Sequence, residues 1–184
     1  MPMEWVQWKL KKDSRAKVRE QRRVGSIMTD DERFLARAIA LSRERMEANE
    51  GGPFGALVAR DGVILAEGWN MVTSSNDPTA HAEVSAIRRA CTAVGHFELK
   101  GATLYTSCEP CPMCLASAYW ARVSRIVYSN TRDEAAAIGF DDAFIYDEVP
   151  KDPSIRSLPM EHHPRDDARA AFAAWAAKPD KIRY

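Results

Sequence analysis

Two short patterns, His81-Ala82-Glu83 and Pro110-Cys111-Pro112-Met113-Cys114, constrain the fold more than anything else in the chain, because they make chemical sense only when brought to one point. Cys111 and Cys114 are three residues apart, so a helix starting at Cys111 puts both thiols on its first turn, where the positive helix end favours thiolates. Two thiolates at that spacing suit zinc, and His81, opening a second periodic segment, adds a neutral imidazole. Three protein ligands leave the fourth tetrahedral position to water, the arrangement of a catalytic site. Glu83 begins the apolar stripe Ala86, Ile87, Ala90, Cys91 and Val94, so its carboxyl points inward, where an unpaired charge is costly. General acid and base work beside a metal-bound water gives that carboxyl a task, and it requires no ligation of the metal.

His-x-Glu followed by Pro-Cys-x-x-Cys is the signature of zinc nucleobase deaminases. The competing arrangement is a closed structural site in which Cys108 joins His81, Cys111 and Cys114. Against it, Cys108 ends the apolar run Ala102 to Tyr105, is separated from Cys111 by Glu109-Pro110, and leaves Glu83 without a function.

A chain of 184 residues fits one domain with a sizeable core. Lys plus Arg equals Asp plus Glu at 26 each, so no global charge points to nucleic acid, membrane or acidic partners. No apolar run reaches membrane-spanning length and the start lacks a secretory layout, so a soluble, cytoplasmic protein is expected. Residues 1–28 form a basic extension, with Lys9, Lys11, Lys12, Arg15, Lys17, Arg19, Arg22 and Arg23 against Glu4, Asp13 and Glu20. No periodicity accompanies that charge, which favours a solvated extension over a nucleic-acid-binding arm. The domain proper is residues 29–184.

Thr29 or Asp30 is expected to cap a helix whose apolar face includes Phe34, Leu35, Ala38, Ile39, Leu41 and Met46, ended by Gly51-Gly52-Pro53. Gly55 to Ala59 and Val63 to Trp69 read as a hairpin around Arg60-Asp61-Gly62. A polar loop from Thr73 to Pro78 leads to the His81 helix, closed by Gly95. A strand over Ala102 to Thr106, a helix from Cys111 to Arg122 and a strand over Ser124 to Ser129 follow, an alternation that implies parallel strands with covering helices and a site at strand-to-helix junctions. Beyond Thr131 come a short segment, Asp133 to Ile138, and an acidic, aromatic stretch, Gly139 to Glu148, which reads equally as surface loop or substrate wall. Residues 149–164, rich in proline, read as an extended crossing in which His162 and His163 are solvated. A last helix, Arg165 to Ala177, carries Ala168, Ala171, Phe172 and Trp175 on one face.

From about Phe34 to Val149 the chain resembles the cytidine-deaminase-like superfamily. Within it, Gly52-Pro53-Phe54-Gly55-Ala56, Asn70, Ser107 to Cys114 with Tyr119-Trp120-Ala121-Arg122, Gly139 to Tyr146 and terminal Tyr184 are similar to bacterial guanine deaminases. The resemblance implies an α/β, three-layer α/β/α fold with a mixed five-stranded sheet and helices on both faces. It implies one zinc on His81, Cys111 and Cys114, Glu83 as proton shuttle, Phe54 stacking on a purine, and Asn70 and Asp142 on its polar edge. Trp120 packs in the core or lines the pocket, and Asp147 and Glu148 are both candidates for a second carboxylate. The implied reaction is attack of zinc-bound hydroxide at guanine C2, giving xanthine and ammonia. The resemblance further implies a homodimer in which about residues 150–184 are exchanged, so that Tyr184 closes the partner's site. The competing functions are a transfer-RNA adenosine deaminase, for which the last helix is only weakly basic, and a structural-zinc module binding nucleic acid through residues 1–28.

Overall fold

The computed structural model describes residues 28–183; the basic extension up to residue 27 and Tyr184 lie outside the described residues. Helix α1 (Asp30–Glu47) begins where expected: the Thr29 hydroxyl accepts from the Glu32 N–H at 3.2 Å, and the Glu32 carboxylate accepts from the Thr29 N–H at 2.8 Å. Two orphan donors of the first turn are thereby satisfied. Phe34, Ala38 and Leu41 recur at helical spacing and are buried.

Strands β1 (Gly55–Arg60) and β2 (Val63–Trp69) form the hairpin, with Arg60 opposite Val63 and only Asp61 and Gly62 between them. Both turn residues have positive φ, 52° and 76°, as a turn matched to strand twist demands. A one-turn helix α2 (Val72–Ser75) follows, then α3 (Ala82–Val94), β3 (Thr103–Cys108), α4 (Pro112–Trp120) and β4 (Arg125–Asn130). The sheet order is β2-β1-β3-β4, antiparallel except for the β3–β4 pair, which α4 connects in parallel.

Alternation along β1 sorts the core into two layers. Leu57 and Ala59 face α1, where they meet Phe34, Ala38 and Tyr105. Ala56 and Val58 face α3 and α4, meeting Ala82, Ala86, Ala90 and Ala118. Each layer contains one glycine that lets a helix approach the sheet closely. A Cβ on Gly55 would lie 2.4 Å from the Ala38 carbonyl oxygen in α1, and one on Gly68 would lie 2.3 Å from the Ala86 nitrogen in α3.

Four strands are present among the described residues, not the five expected. After β4 the chain offers helix formers and caps in place of an alternating apolar run. Residues 133–138 belong to helix α5 (Arg132–Ala137), closed at its start by a reciprocal Thr131–Glu134 capping box. The acidic, aromatic stretch contains helix α6 (Ala143–Glu148), and the loop before His81 contains α2. The proline-rich crossing holds a single 3-10 turn, Pro153–Ile155. Helix α7 (Asp166–Ala177) forms, but none of its residues is buried: Phe172 is 82% exposed and Trp175 47%. Among the described residues no helix is long and apolar enough to cross a membrane.

Arg37 of α1 ties that helix to β2 through a two-pronged pair, Nε to Glu67 Oε1 at 2.6 Å and Nη2 to Oε2 at 2.8 Å. The Arg37 hydrogen bond is the main reason the Glu67 carboxyl lies below its ordinary value. A carboxylate depressed on folding contributes stability that is present at neutral pH and lost as pH falls through its folded value. Glu67→Gln should therefore cost about 1 kcal/mol at pH 7, the pair being partly solvated, and progressively less in acid. Urea midpoints of variant and parent, compared at each pH, check this; a gap that persists or widens in acid would contradict it.

Candidate active site

The start of β1, the ends of β2 and β3 and the starts of α3 and α4 converge on one cavity of about 590 Å³. His81 is the N-cap of α3 and Cys111 the N-cap of α4, both extended, and neither side chain makes a capping hydrogen bond. Pro112 follows Cys111 at the first helical position, where its missing N–H costs nothing. The capping side chains are thus left for other work at two positive helix ends.

His81 Nδ1 lies 3.5 Å from Cys111 Sγ and 3.4 Å from Cys114 Sγ, and the three donor atoms all fall within 4.8 Å of one another. Zinc–sulfur and zinc–nitrogen bonds at a tetrahedral angle require an edge of about 3.6 Å, so this set fits zinc. The Cys111 thiol is held down at about 4, first by the hydrogen bond from Cys114 and also by His81, while Cys114 is pushed up by the same pairing and by burial. Ligation requires both thiols as thiolates, a state that a bound dication would favour. Cys108 stands apart from this group at the end of β3: its thiol reaches the Thr131 carbonyl oxygen at 3.6 Å and is pushed up by burial to about 11.

Glu83 lies in the first turn of α3, only 6% exposed, with Oε2 3.4 Å from Cys114 Sγ. Burial raises its pKa, the direction a proton shuttle near neutral pH requires. The walls of the cavity include Phe54, Asn70 and Asp142. Asn70 is buried, and its Oδ1 accepts from the Gly52 and Val72 N–H groups, each at 3.3 Å, which leaves its amino group to donate into the cavity. Asp142 occupies the N-cap position of α6 without a side-chain capping bond, and its carboxyl is raised by burial and then by the Cys111 charge.

The remaining expected residues lie elsewhere. Trp120 ends α4, is 62% exposed and does not border the cavity; Arg122 sits 5.9 Å over its ring. Asp147 is exposed, and Glu148 pairs with Lys151 at 2.5 Å and accepts from the Ser157 N–H at 2.7 Å, so neither borders the cavity. Among the wall residues that escaped the sequence reading as individuals are Phe140 and Arg132. Phe140 meets Phe54 edge-on at 4.8 Å, and Arg132 also lines the cavity. The aromatic and acidic character of residues 139–148 was the signal for the first; nothing in the sequence singled out Arg132.

Residues 28–130, more than half of the chain, match the cytidine and deoxycytidylate deaminase zinc-binding region. The chain belongs to that family of zinc deaminases. A guanine deaminase from Bacillus subtilis is 49% identical over 83% of this chain and 98% of its own length. Its X-ray structure superimposes with a TM-score of 0.81 over the same shares. A guanine deaminase structure from Nitrosomonas europaea gives 30% identity and a TM-score of 0.59 over 63% of this chain and 66% of that one. A tRNA-specific adenosine deaminase from Agrobacterium fabrum is 38% identical over 60% of this chain and 72% of its own. The matched region, residues 28–130, includes His81, Glu83, Cys111 and Cys114 of this zinc deaminase.

Proposed function

We propose that this zinc deaminase hydrolyses guanine to xanthine and ammonia. The observation that carries the reading is the cavity itself: a donor set suited to zinc and a buried carboxyl on one side, with an aromatic face, an amide donor and a carboxylate acceptor on the walls. That pattern matches a flat heterocycle with mixed donors and acceptors. The guanine deaminase from Bacillus subtilis supports it over nearly its full length, whereas the likeness to the tRNA-specific adenosine deaminase stops well short of either chain's length.

His81, Cys111 and Cys114 would hold zinc, which would supply Lewis acidity toward water in the cavity. Phe54 stacks on the base, the Asn70 amino group donates to a ring acceptor, and Asp142 accepts from a ring N–H. Glu83 takes a proton from the water that adds to C2 and returns it to the departing amine as the C2–N bond breaks. Ammonia release by zinc-loaded protein supplied with guanine, adenine, cytosine and their nucleosides tests the reading. Turnover of adenine or of nucleosides in place of guanine would overturn it. The four unpaired thiols fit a reducing compartment, the cytoplasm.

The same reading extends to assembly. Helix α7 buries nothing on its own chain, the crossing before it is long and proline-rich, and β4 is an edge strand with Tyr128 46% exposed. Exchange of residues from about 150 onward between two copies gives all three features a partner. Tyr184 then reaches the other subunit's cavity. Chains carrying Glu83→Gln and chains lacking Tyr184, each nearly inactive, should recover activity toward about half of wild type per dimer when mixed and exchanged, because one site per heterodimer is complete. No recovery despite verified exchange, or full activity without Tyr184, would contradict the swap.

A further inference from the structure

Helix α6 has no buried residue to anchor it, yet Asp142 at its cap must stand at a fixed distance from the metal ligands for a base to be gripped while its C2 is attacked. One contact spans that interval directly. The Tyr146 phenol, one turn after Asp142, donates to the carbonyl oxygen of buried Pro110 at 3.1 Å, and Pro110 immediately precedes the ligand Cys111. The guanidinium of Arg132 lies 4.6 Å over the Tyr146 ring, and the Arg132 N–H donates to Glu109 at 3.1 Å, one residue further back along the metal loop. The tyrosine is therefore held at its hydroxyl by the segment that leads into the zinc-binding helix, and on its ring face by Arg132 at the start of α5, whose backbone is tied to that same segment through Glu109.

We propose that Tyr146 is a positioning residue that acts through Asp142, fixing the base-gripping carboxylate relative to Cys111; this rests on the reading of Asp142 as a contact to the base. Burial, and then the Asp142 charge, raise the phenol's pKa, so it remains a donor throughout the neutral range. The contact is absent from any short-range pattern: residues 146 and 110 are far apart in sequence, and only the return of the chain over the metal loop joins them.

Tyr146→Phe keeps the ring under Arg132 and removes only the hydrogen bond. The variant should keep one zinc per chain, raise KM for guanine about tenfold and leave kcat within about twofold, because the grip on the base is made in ground state and transition state alike. Asp142→Ala should raise KM by itself, and adding Tyr146→Phe to it should raise KM no further, since residues acting through one another are not additive. Amide exchange over residues 143–148 should quicken in Tyr146→Phe, a readout that needs no substrate. Unchanged exchange shows that the bond does not hold α6 and overturns the proposal independently of the substrate. Faster exchange with unchanged KM, additive effects in the double variant, or loss of zinc with kcat and KM disturbed together overturn it as well. An unchanged KM in Asp142→Ala overturns the reading of Asp142, and this proposal with it.

Discussion

Glu83→Gln is expected to bind zinc at one per chain and to lose ammonia release by roughly a hundred- to ten-thousand-fold, the range that positioned proton transfer contributes. The amide fills the same space and can still face Cys114, whose thiol lies 3.4 Å from the carboxylate in the parent, but it cannot take a proton from water and pass it on. Because Glu83 is buried and its pKa is raised by that burial, the fold gives up stability to keep an ionisable group there. The variant should consequently unfold at a temperature no lower than the parent. Zinc content, initial rate and melting midpoint measured on one preparation separate this outcome from a damaged site. Retained activity would remove Glu83 from the chemistry, whereas lost zinc would make it a ligand.

Cys111→Ala should have the larger effect on the molecule. It deletes a metal ligand and, with it, the hydrogen bond from Cys114 that holds the Cys111 thiol at about 4. Two remaining donors do not make a zinc site, so metal content should fall close to zero and activity below detection. Stability should fall with it, since binding that occurs only in the folded chain is linked to folding. Chelator-treated wild type should melt near the variant, which identifies the lost stability as that of the metal. Cys108→Ala is the contrasting variant: its thiol faces the Thr131 carbonyl, so zinc content should stay unchanged. Loss of zinc there would reinstate the closed four-ligand site.

What could be read before the structure follows from how local each cause is. The gathering of His81, Cys111 and Cys114 was legible because metal chemistry admits few spacings, and the inward Glu83 because a helical stripe fixes its face. The hairpin was legible from Asp61-Gly62, and α1 from a cap at Thr29 or Asp30 ahead of an apolar face, both short-range signals; the structure assigns the cap to Thr29. Helices α2, α5 and α6 were not: each is a turn or two long, below the length at which propensity speaks, and α6 is held by Tyr146 reaching back to Pro110. Trp120 was open to two readings because the short α4 has apolar residues on all sides; the structure leaves it 62% exposed. The face of α7 has a helical pattern with nothing on its own chain to meet it, which no single-chain reading of the sequence could supply.

Gly55 and Gly68 carry a warning for anyone engineering this scaffold for robustness. Replacing glycine by alanine is a standard route to a hardier protein, because it restricts the unfolded chain. Here it would reverse sign. At Gly55 the new methyl would strike the backbone of α1, and at Gly68 that of α3, so the damage would fall on opposite faces of the same sheet. Since α3 brings both His81 and Glu83, a shift of that helix at Gly68 would be read in turnover, while a shift of α1 at Gly55 would be read chiefly in unfolding. Two chemically identical substitutions would thus separate tolerance of the catalyst from tolerance of the scaffold.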